Sequence, residues 1–205
     1  MPSHFKPTGS RKPALVKGAN RVRLIGGTLR SRVIDFPDIA GLRPTANRVR
    51  ETLFNWLGQT LHGKRCLDLF SGSGALGFEA ASRGADDVVL LEAHTVAAQA
   101  LKLNQQKLGA AACRVISMDA LKFLGLCEEK FDIVFVDPPF TSGLLAPVLM
   151  KIPAVMKPDG LLYAEWGVPI ADVLIESPDT QWEIVKQGKA GAVHFALLTY
   201  LRNEI

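Results

Sequence analysis

Long apolar runs are missing from this chain of 205 residues, and with them the unbroken stretch that a membrane-spanning helix needs. The first residues, MPSHFKPTGSRKP, lack the apolar core of a signal peptide. Cysteine is scarce: Cys66, Cys113 and Cys127 form no CxxC and no other metal-binding spacing. An odd count, with two of the three inside apolar runs, reads as buried, reduced thiols of a cytoplasmic protein. The four histidines (His4, His62, His94, His194) are scattered and suggest no metal site. Repeats and low-complexity segments are absent. What remains is an ordinary globular composition, 48% hydrophobic and 21% charged, sufficient for one sizeable domain.

Acidic charge is nearly absent from the first quarter. Residues 1–50 hold 11 of the 24 basic residues and two acids, Asp35 and Asp38, so that quarter carries +9 and the remainder −5. A basic segment on a mildly acidic body suggests a polyanionic partner, with a solvated charged tail as the plainer alternative. The basic residues continue past the tail at Arg43, Arg48 and Arg50, which favours nucleic acid.

Residues 1–20 are basic, polar and punctuated by Pro and Gly, and read as disordered until bound. Residues 21–36 alternate apolar and charged about Gly26-Gly27, a hairpin pattern. Residues 45–61 place Val49, Leu53, Trp56, Leu57 and Leu61 at helical spacing, with Thr45 or Asn47 as N-cap. From residue 64 strands and helices alternate. Strands are expected at 65–70, 87–92, 113–117, 131–137 and 160–166, and helices at 75–83, 95–108, 119–126 and 143–156. Such alternation predicts a parallel sheet with helices on both faces. The end, QWEIVKQGKAGAVHFALLTYL, predicts a hairpin about Gly188–Gly191, so one terminal strand must run antiparallel. The expected organisation is a tail (1–20), a hairpin extension (21–44) and one α/β domain (45–205).

After the first strand of that domain comes Ser71-Gly72-Ser73-Gly74-Ala75-Leu76-Gly77, a GxGxxG opening a helix. Glu92 ends the next strand, twenty residues after Gly72. This is the context of a nucleotide site, with glycines for a tight turn and an acid for ribose hydroxyls. Asp68 lies four residues before Gly72, where a carboxylate would repel a pyrophosphate and attract an ammonium and a sulfonium. S-adenosylmethionine has both; the alternative is that Asp68 points away and caps a loop. Asp119 follows the third strand and could accept from an adenine amino group, with Met118 or Ala120 against the ring, or simply cap the next helix.

The fourth strand ends in Asp137-Pro138-Pro139-Phe140. Two prolines remove two backbone donors, fix two φ angles and hold the residue before each extended. The product is a stiff ledge with free carbonyls, an acid before it and a ring after it.

DLFSGSGALGFEA (68–80), LLEA (90–93) and DPPF (137–140), in this order, resemble a class I S-adenosylmethionine-dependent methyltransferase acting on exocyclic amino groups. RPTANRVRETLFNWL (43–57) narrows the resemblance to the RsmD family of bacterial 16S ribosomal RNA guanine-N2 methyltransferases, over roughly residues 20–202. The resemblance implies a Rossmann-like α/β fold with a mixed seven-stranded sheet whose last strand is antiparallel. It implies that Thr45, Asp68, Phe70, Ser71, Gly72, Gly74, Glu92, Asp119, Ala120 and Asp137 meet S-adenosylmethionine, the Arg43–Glu51 segment closing over its methionine end. Asp137 and the Pro138 carbonyl would each accept one N–H of the amine, on a ledge stiffened by Pro139, and Phe140 would stack on a base lifted out of its helix. Arg21, Arg23, Arg43, Arg48 and Arg50 would hold phosphates of 16S rRNA within an assembled or assembling small ribosomal subunit, with a surface salt bridge as the alternative for each. The protein would act as a monomer without metal. Competing readings are an adenine-N6 methyltransferase, an NAD-linked oxidoreductase on the same glycine loop, and an inactive RNA-binding module.

Overall fold

The apolar runs pair into one central sheet, and the amphipathic segments cover its two faces. The computed structural model describes residues 20–175 and 181–201. The chain runs β1 (Asn20–Arg23), β2 (Val33–Phe36), α1 (Asn47–Leu57), β3 (Arg65–Asp68), α2 (Ala75–Ser82), β4 (Asp87–Glu92), α3 (Thr95–Leu108), β5 (Cys113–Ser117) and α4 (Ala120–Leu126). It continues through β6 (Phe131–Val136), α5 (Leu145–Lys151), a 3-10 turn (Ile152–Val155), β7 (Met156–Trp166), α6 (Ile170–Ile175), β8 (Trp182–Ala190) and β9 (Val193–Tyr200). Apart from Asn20, the expected disordered tail lies outside the described residues.

The order in the sheet is β5-β4-β3-β6-β7-β9-β8. Neighbours from β5 through β7 are parallel, and β9 is antiparallel to both β7 and β8. This is the mixed seven-stranded Rossmann-like sheet expected, with its antiparallel last strand. Chain order reverses between β3 and β6, which opens a crevice at their carboxyl ends. Strand alternation sorts the side chains. Cys66, Leu90, Ile133, Phe135 and Tyr163 face a core shared with α1, α2 and the β1–β2 hairpin. Leu67, Leu91, Val134, Val136 and Leu162 face a core shared with α4 and α5. Cys66 and Cys113 are buried free thiols, and burial pushes Cys113 up to about 12, which makes it a poor nucleophile.

The hairpin is a separate two-stranded sheet stapled to the main body. Asn104 on α3 donates to the Asp35 carbonyl at 2.7 Å and accepts from the Asp35 N–H at 3.1 Å. Glu79 on α2 accepts from the N–H groups of Ile25 and Gly26 at 2.9 and 2.8 Å.

Two expectations need correction, and one helix lies where none was expected. Neither Thr45 nor Asn47 caps α1: Ala46 holds that position without a side-chain bond, Thr45 turns to Asp137, and Asn47 accepts from Arg50. The helix expected at 143–156 is α5 plus the 3-10 turn, because Pro153 has no N–H to continue the α-helix and is instead the second residue of a tighter turn that starts at Ile152. Helix α6 was not legible in Ile170–Ile175, a run too short for periodicity. Among the described residues no helix is long and apolar enough to cross a membrane.

Candidate active site

The β3–β6 crevice opens into a cavity of about 620 Å³. Its walls are residues 39–43, the glycine loop (69–72), the end of β4 (91–94), the turn before α4 (118–120) and residues 137–141, with Leu76 and Leu144. The cavity thus joins Phe70, Ser71, Gly72, Glu92, Asp119, Ala120, Asp137, Pro138, Pro139, Phe140 and Arg43 from the expected set. Thr45, Asp68 and Gly74 are not among its walls.

At one end, Glu92 is fixed by two backbone donors. Gly72 N–H donates to Oε2 at 2.9 Å and His94 N–H to Oε1 at 2.7 Å. Each oxygen keeps a lone pair for another donor. Asp119 does both things the sequence suggested: it lines the cavity and caps α4, accepting from Lys122 N–H at 2.9 Å.

Asp68 is a correction. Its place on β3 turns it towards α2, as alternation requires for a residue two beyond Cys66. It is buried, and Gly77 N–H donates to its Oδ2 at 2.9 Å. Burial pushes it up to about 7, against the pull of the Gly77 N–H. Gly74 is also buried and supports the loop instead of meeting a ligand. Its φ is +82°, and a Cβ there would come within 2.6 Å of Leu101 and 2.7 Å of Phe78. That combination admits glycine alone.

At the other end stands the Asp-Pro-Pro-Phe ledge. Asp137 shares the α1-side face with Phe135, and the Thr45 hydroxyl donates to its Oδ2 at 3.4 Å. Thr45 therefore braces Asp137 from beneath and is corrected from a cavity residue to a support. Burial pushes Asp137 up to about 6, while the Arg43 charge and the Thr45 hydroxyl pull it down. Arg43 lies over the Phe140 ring, 5.1 Å from its centroid, and Trp166 packs against the same ring at 5.5 Å.

The arginines divide. Arg21, Arg23, Arg43 and Arg48 are exposed. Arg21 donates to Asp35 and Arg23 to the Ser31 carbonyl, both within the hairpin. Arg50 is a correction: it is fully buried, so it has no surface to offer a phosphate. It pairs with Glu79 and donates to the Arg23 carbonyl and Asn47. Sequence reasoning also missed Glu165, buried at the end of β7 beside Asp137. Its signal was present, an acid closing the apolar run LLYA just as Glu92 closes VVLL.

A family model described as conserved hypothetical protein 95 matches residues 22–199. Ribosomal RNA small subunit methyltransferase D of Escherichia coli (strain K12) is 40% identical over 182 residues, spanning 88% of this chain and 90% of the relative. A putative rRNA methyltransferase, YlbH, of Bacillus subtilis (strain 168) is 32% identical, spanning 82% of this chain and 92% of the relative. The solved structure of the putative methyltransferase yhhF from Escherichia coli superposes with a TM-score of 0.79 at 39% identity, covering 88% of this chain and 98% of that one. With a family model over nearly the whole described chain and relatives this similar over nine-tenths or more of their length, the chain belongs to the RsmD family.

Proposed function

We propose that this protein transfers a methyl group from S-adenosylmethionine to the exocyclic N2 of a guanine in 16S rRNA of the small ribosomal subunit. The observation that carries the reading is the Gly72–Glu92 hydrogen bond inside a cavity that ends at the Asp137–Phe140 ledge. A pyrophosphate needs free N–H donors at the glycine loop. Here the Gly72 N–H already serves a carboxylate, and that carboxylate would repel a phosphate. The carboxylate that disfavours a dinucleotide here is therefore Glu92, not Asp68. A neutral adenosine with a cationic tail suits a cavity walled by Glu92, Asp119 and Asp137, and its size is that of a small-molecule site. The names of the relatives support ribosomal RNA as substrate.

S-adenosylmethionine supplies an electrophilic methyl group on sulfur. Glu92 would accept from the ribose hydroxyls, and Asp119 would take the adenine amino group beside Met118 and Ala120. Asp137 and the Pro138 carbonyl would accept the two amine N–H bonds. A guanine amino group is a weak nucleophile because its lone pair is delocalised into the ring. Two fixed acceptors favour a more pyramidal nitrogen, and the prolines keep reorganisation small as charge develops. Asp137 then takes the proton that the amine loses. Phe140, steadied by its contact with Trp166, would offer a stacking ring worth roughly 1–3 kcal/mol to an extruded base that displaces Arg43 from it.

Incubation with tritiated S-adenosylmethionine and either deproteinised 16S rRNA or small subunits tests this. Label recovered in N2-methylguanosine after digestion is the expected result. Label in N6-methyladenosine would replace the target base, and NADH binding without S-adenosylmethionine binding would replace the activity.

A further inference from the structure

We propose that Glu165 is a positioning residue of the transfer site: a neutral carboxyl that shares one proton with Asp137 through the Thr45 hydroxyl and confines the negative charge of the pair to Asp137. The inference rests on the methyltransferase reading for its kinetic consequence, but not for the proton itself.

The geometry follows from register. β6 and β7 are parallel neighbours with Val136 opposite Ala164, so the next residues, Asp137 and Glu165, end adjacent strands on one face. Thr45 lies against both. Its hydroxyl donates to Asp137 Oδ2 at 3.4 Å and is within hydrogen-bonding reach of Glu165. On the other side the Tyr163 hydroxyl donates to Glu165 Oε1 at 2.8 Å in a buried contact. The groups facing Glu165 are Asp137 from β6, Thr45 and Arg43 from the segment before α1, Tyr163 on its own strand and the apolar Phe195 from β9. Glu165 is 4% exposed.

A hydroxyl that spends its one proton on Asp137 has only lone pairs left for Glu165. An ionised Glu165 would set acceptor against acceptor there and place two carboxylate charges side by side. A protonated Glu165 resolves both, donating to Thr45 and accepting from Tyr163. Burial pushes both acids up, Asp137 to about 6 against the pull of Arg43 and Thr45, and Glu165 to about 8, where burial and the Asp137 charge outweigh the pull of the Tyr163 and Thr45 hydroxyls and of Arg43. Between those values the pair carries one negative charge, and it sits on the residue that faces the cavity. During transfer the proton leaves the amine nitrogen for a carboxylate oxygen of Asp137, and its bonding pair stays on nitrogen. Ionisation of Glu165 would make the pair doubly charged and weaken the hold of Thr45 on Asp137.

Infrared titration of the full chain carrying isotope-labelled glutamate reads the proton without turnover. A neutral glutamate carboxyl band is expected at about pH 7, lost as pH rises through about 8, and absent in Glu165→Gln at every pH in that window. Isotope labelling separates it from Asp68. No such band in the wild type overturns the proposal. Single-turnover methyl transfer reads the consequence. The wild-type rate should fall as pH rises past about 8. In Glu165→Gln the amide donates and accepts as the neutral acid does, so the rate at neutral pH should stay within about threefold and the fall should vanish. Glu165→Ala should lose about tenfold or more in rate with an unchanged dissociation constant for S-adenosylmethionine. An unaltered fall in Glu165→Gln, or a wild-type rate in Glu165→Ala, overturns the proposal. A wild type that shows the band but methylates no RNA refutes the activity and leaves the shared proton standing.

Discussion

The Arg50 guanidinium meets the Glu79 carboxylate at 3.5 Å, and neither side chain exposes any surface. Glu79 also accepts from Arg83 at 2.9 Å and from two hairpin N–H groups. One acid therefore ties α1, α2 and the β1–β2 hairpin together behind the glycine loop. Removing one partner of a buried pair strands the other. Arg50→Ala should cost about 3 kcal/mol or more of stability, read by denaturant unfolding, with an unchanged salt slope of RNA binding. A lowered slope with full stability would return Arg50 to the RNA surface.

Periodicity held the information about Arg50. It stands three residues before Leu53 and four before Phe54, on the buried stripe of α1. Charge alone had put it on the surface. The strands, the glycine loop and the Asp-Pro-Pro-Phe ledge were legible because each is local: a run of alternating residues or a turn chemistry. The partners of Asp68, Thr45 and Glu165 were not. Alternation puts Asp68 and Glu165 on one face, but what covers that face, Thr45 included, depends on how α1 and α2 dock, and docking is set by contacts between residues far apart in sequence.

The raised acids set a pH dependence of stability. Asp68 has a folded pKa of about 7, well above the usual carboxylate value. Between those values the folded state holds more protons than the unfolded chain, so stability falls as pH rises. The contribution of Asp68 is complete below the unfolded value and gone above about 7. Thermal melts should therefore show a declining midpoint from mildly acid to mildly alkaline pH. Asp68→Asn keeps an acceptor for the Gly77 N–H without the buried charge, so it should flatten that decline and raise the midpoint at alkaline pH. An unchanged profile would mean that Asp68 stays ionised throughout.

Gly77 is a close-approach glycine. A Cβ there would lie 2.7 Å from Leu90 Cδ2 and 3.1 Å from Asp68 Oδ2. Neither neighbour can retreat, since Leu90 is fully buried and the Asp68 oxygen accepts from Gly77 itself. Gly77→Ala should destabilise by about 1–3 kcal/mol, outweighing its gain in helix propensity. It should also weaken S-adenosylmethionine binding through the displaced glycine loop. Calorimetry with a melting curve would show both, and a variant more stable than the wild type would mean that α2 stands further from β4.

Asp137→Ala separates chemistry from binding. The carboxylate is assigned to the amine, so S-adenosylmethionine affinity should stay within about tenfold, or about 1.4 kcal/mol, while the transfer rate collapses. A near-normal rate would remove Asp137 from the reaction.

The exposed arginines carry the last expectation. Arg48 projects from α1 beside the segment that lines the cavity, and Arg43 stands on the cavity wall itself. A side chain that neutralises a phosphate releases counterions, so its loss should reduce the slope of log K against log salt by about 0.7–0.9. Arg48→Gln should show that reduction with an unchanged melting temperature. Arg21→Gln tests the hairpin in the same way, because Lys107 remains bonded to Asp35 at 2.6 Å when Arg21 is lost and the hairpin keeps its brace. If the slope is unchanged in both variants, the RNA is held elsewhere, and the exposed Lys186 and Lys189 of the β8–β9 hairpin, at the opposite edge of the sheet from β5, become the surface to reverse next.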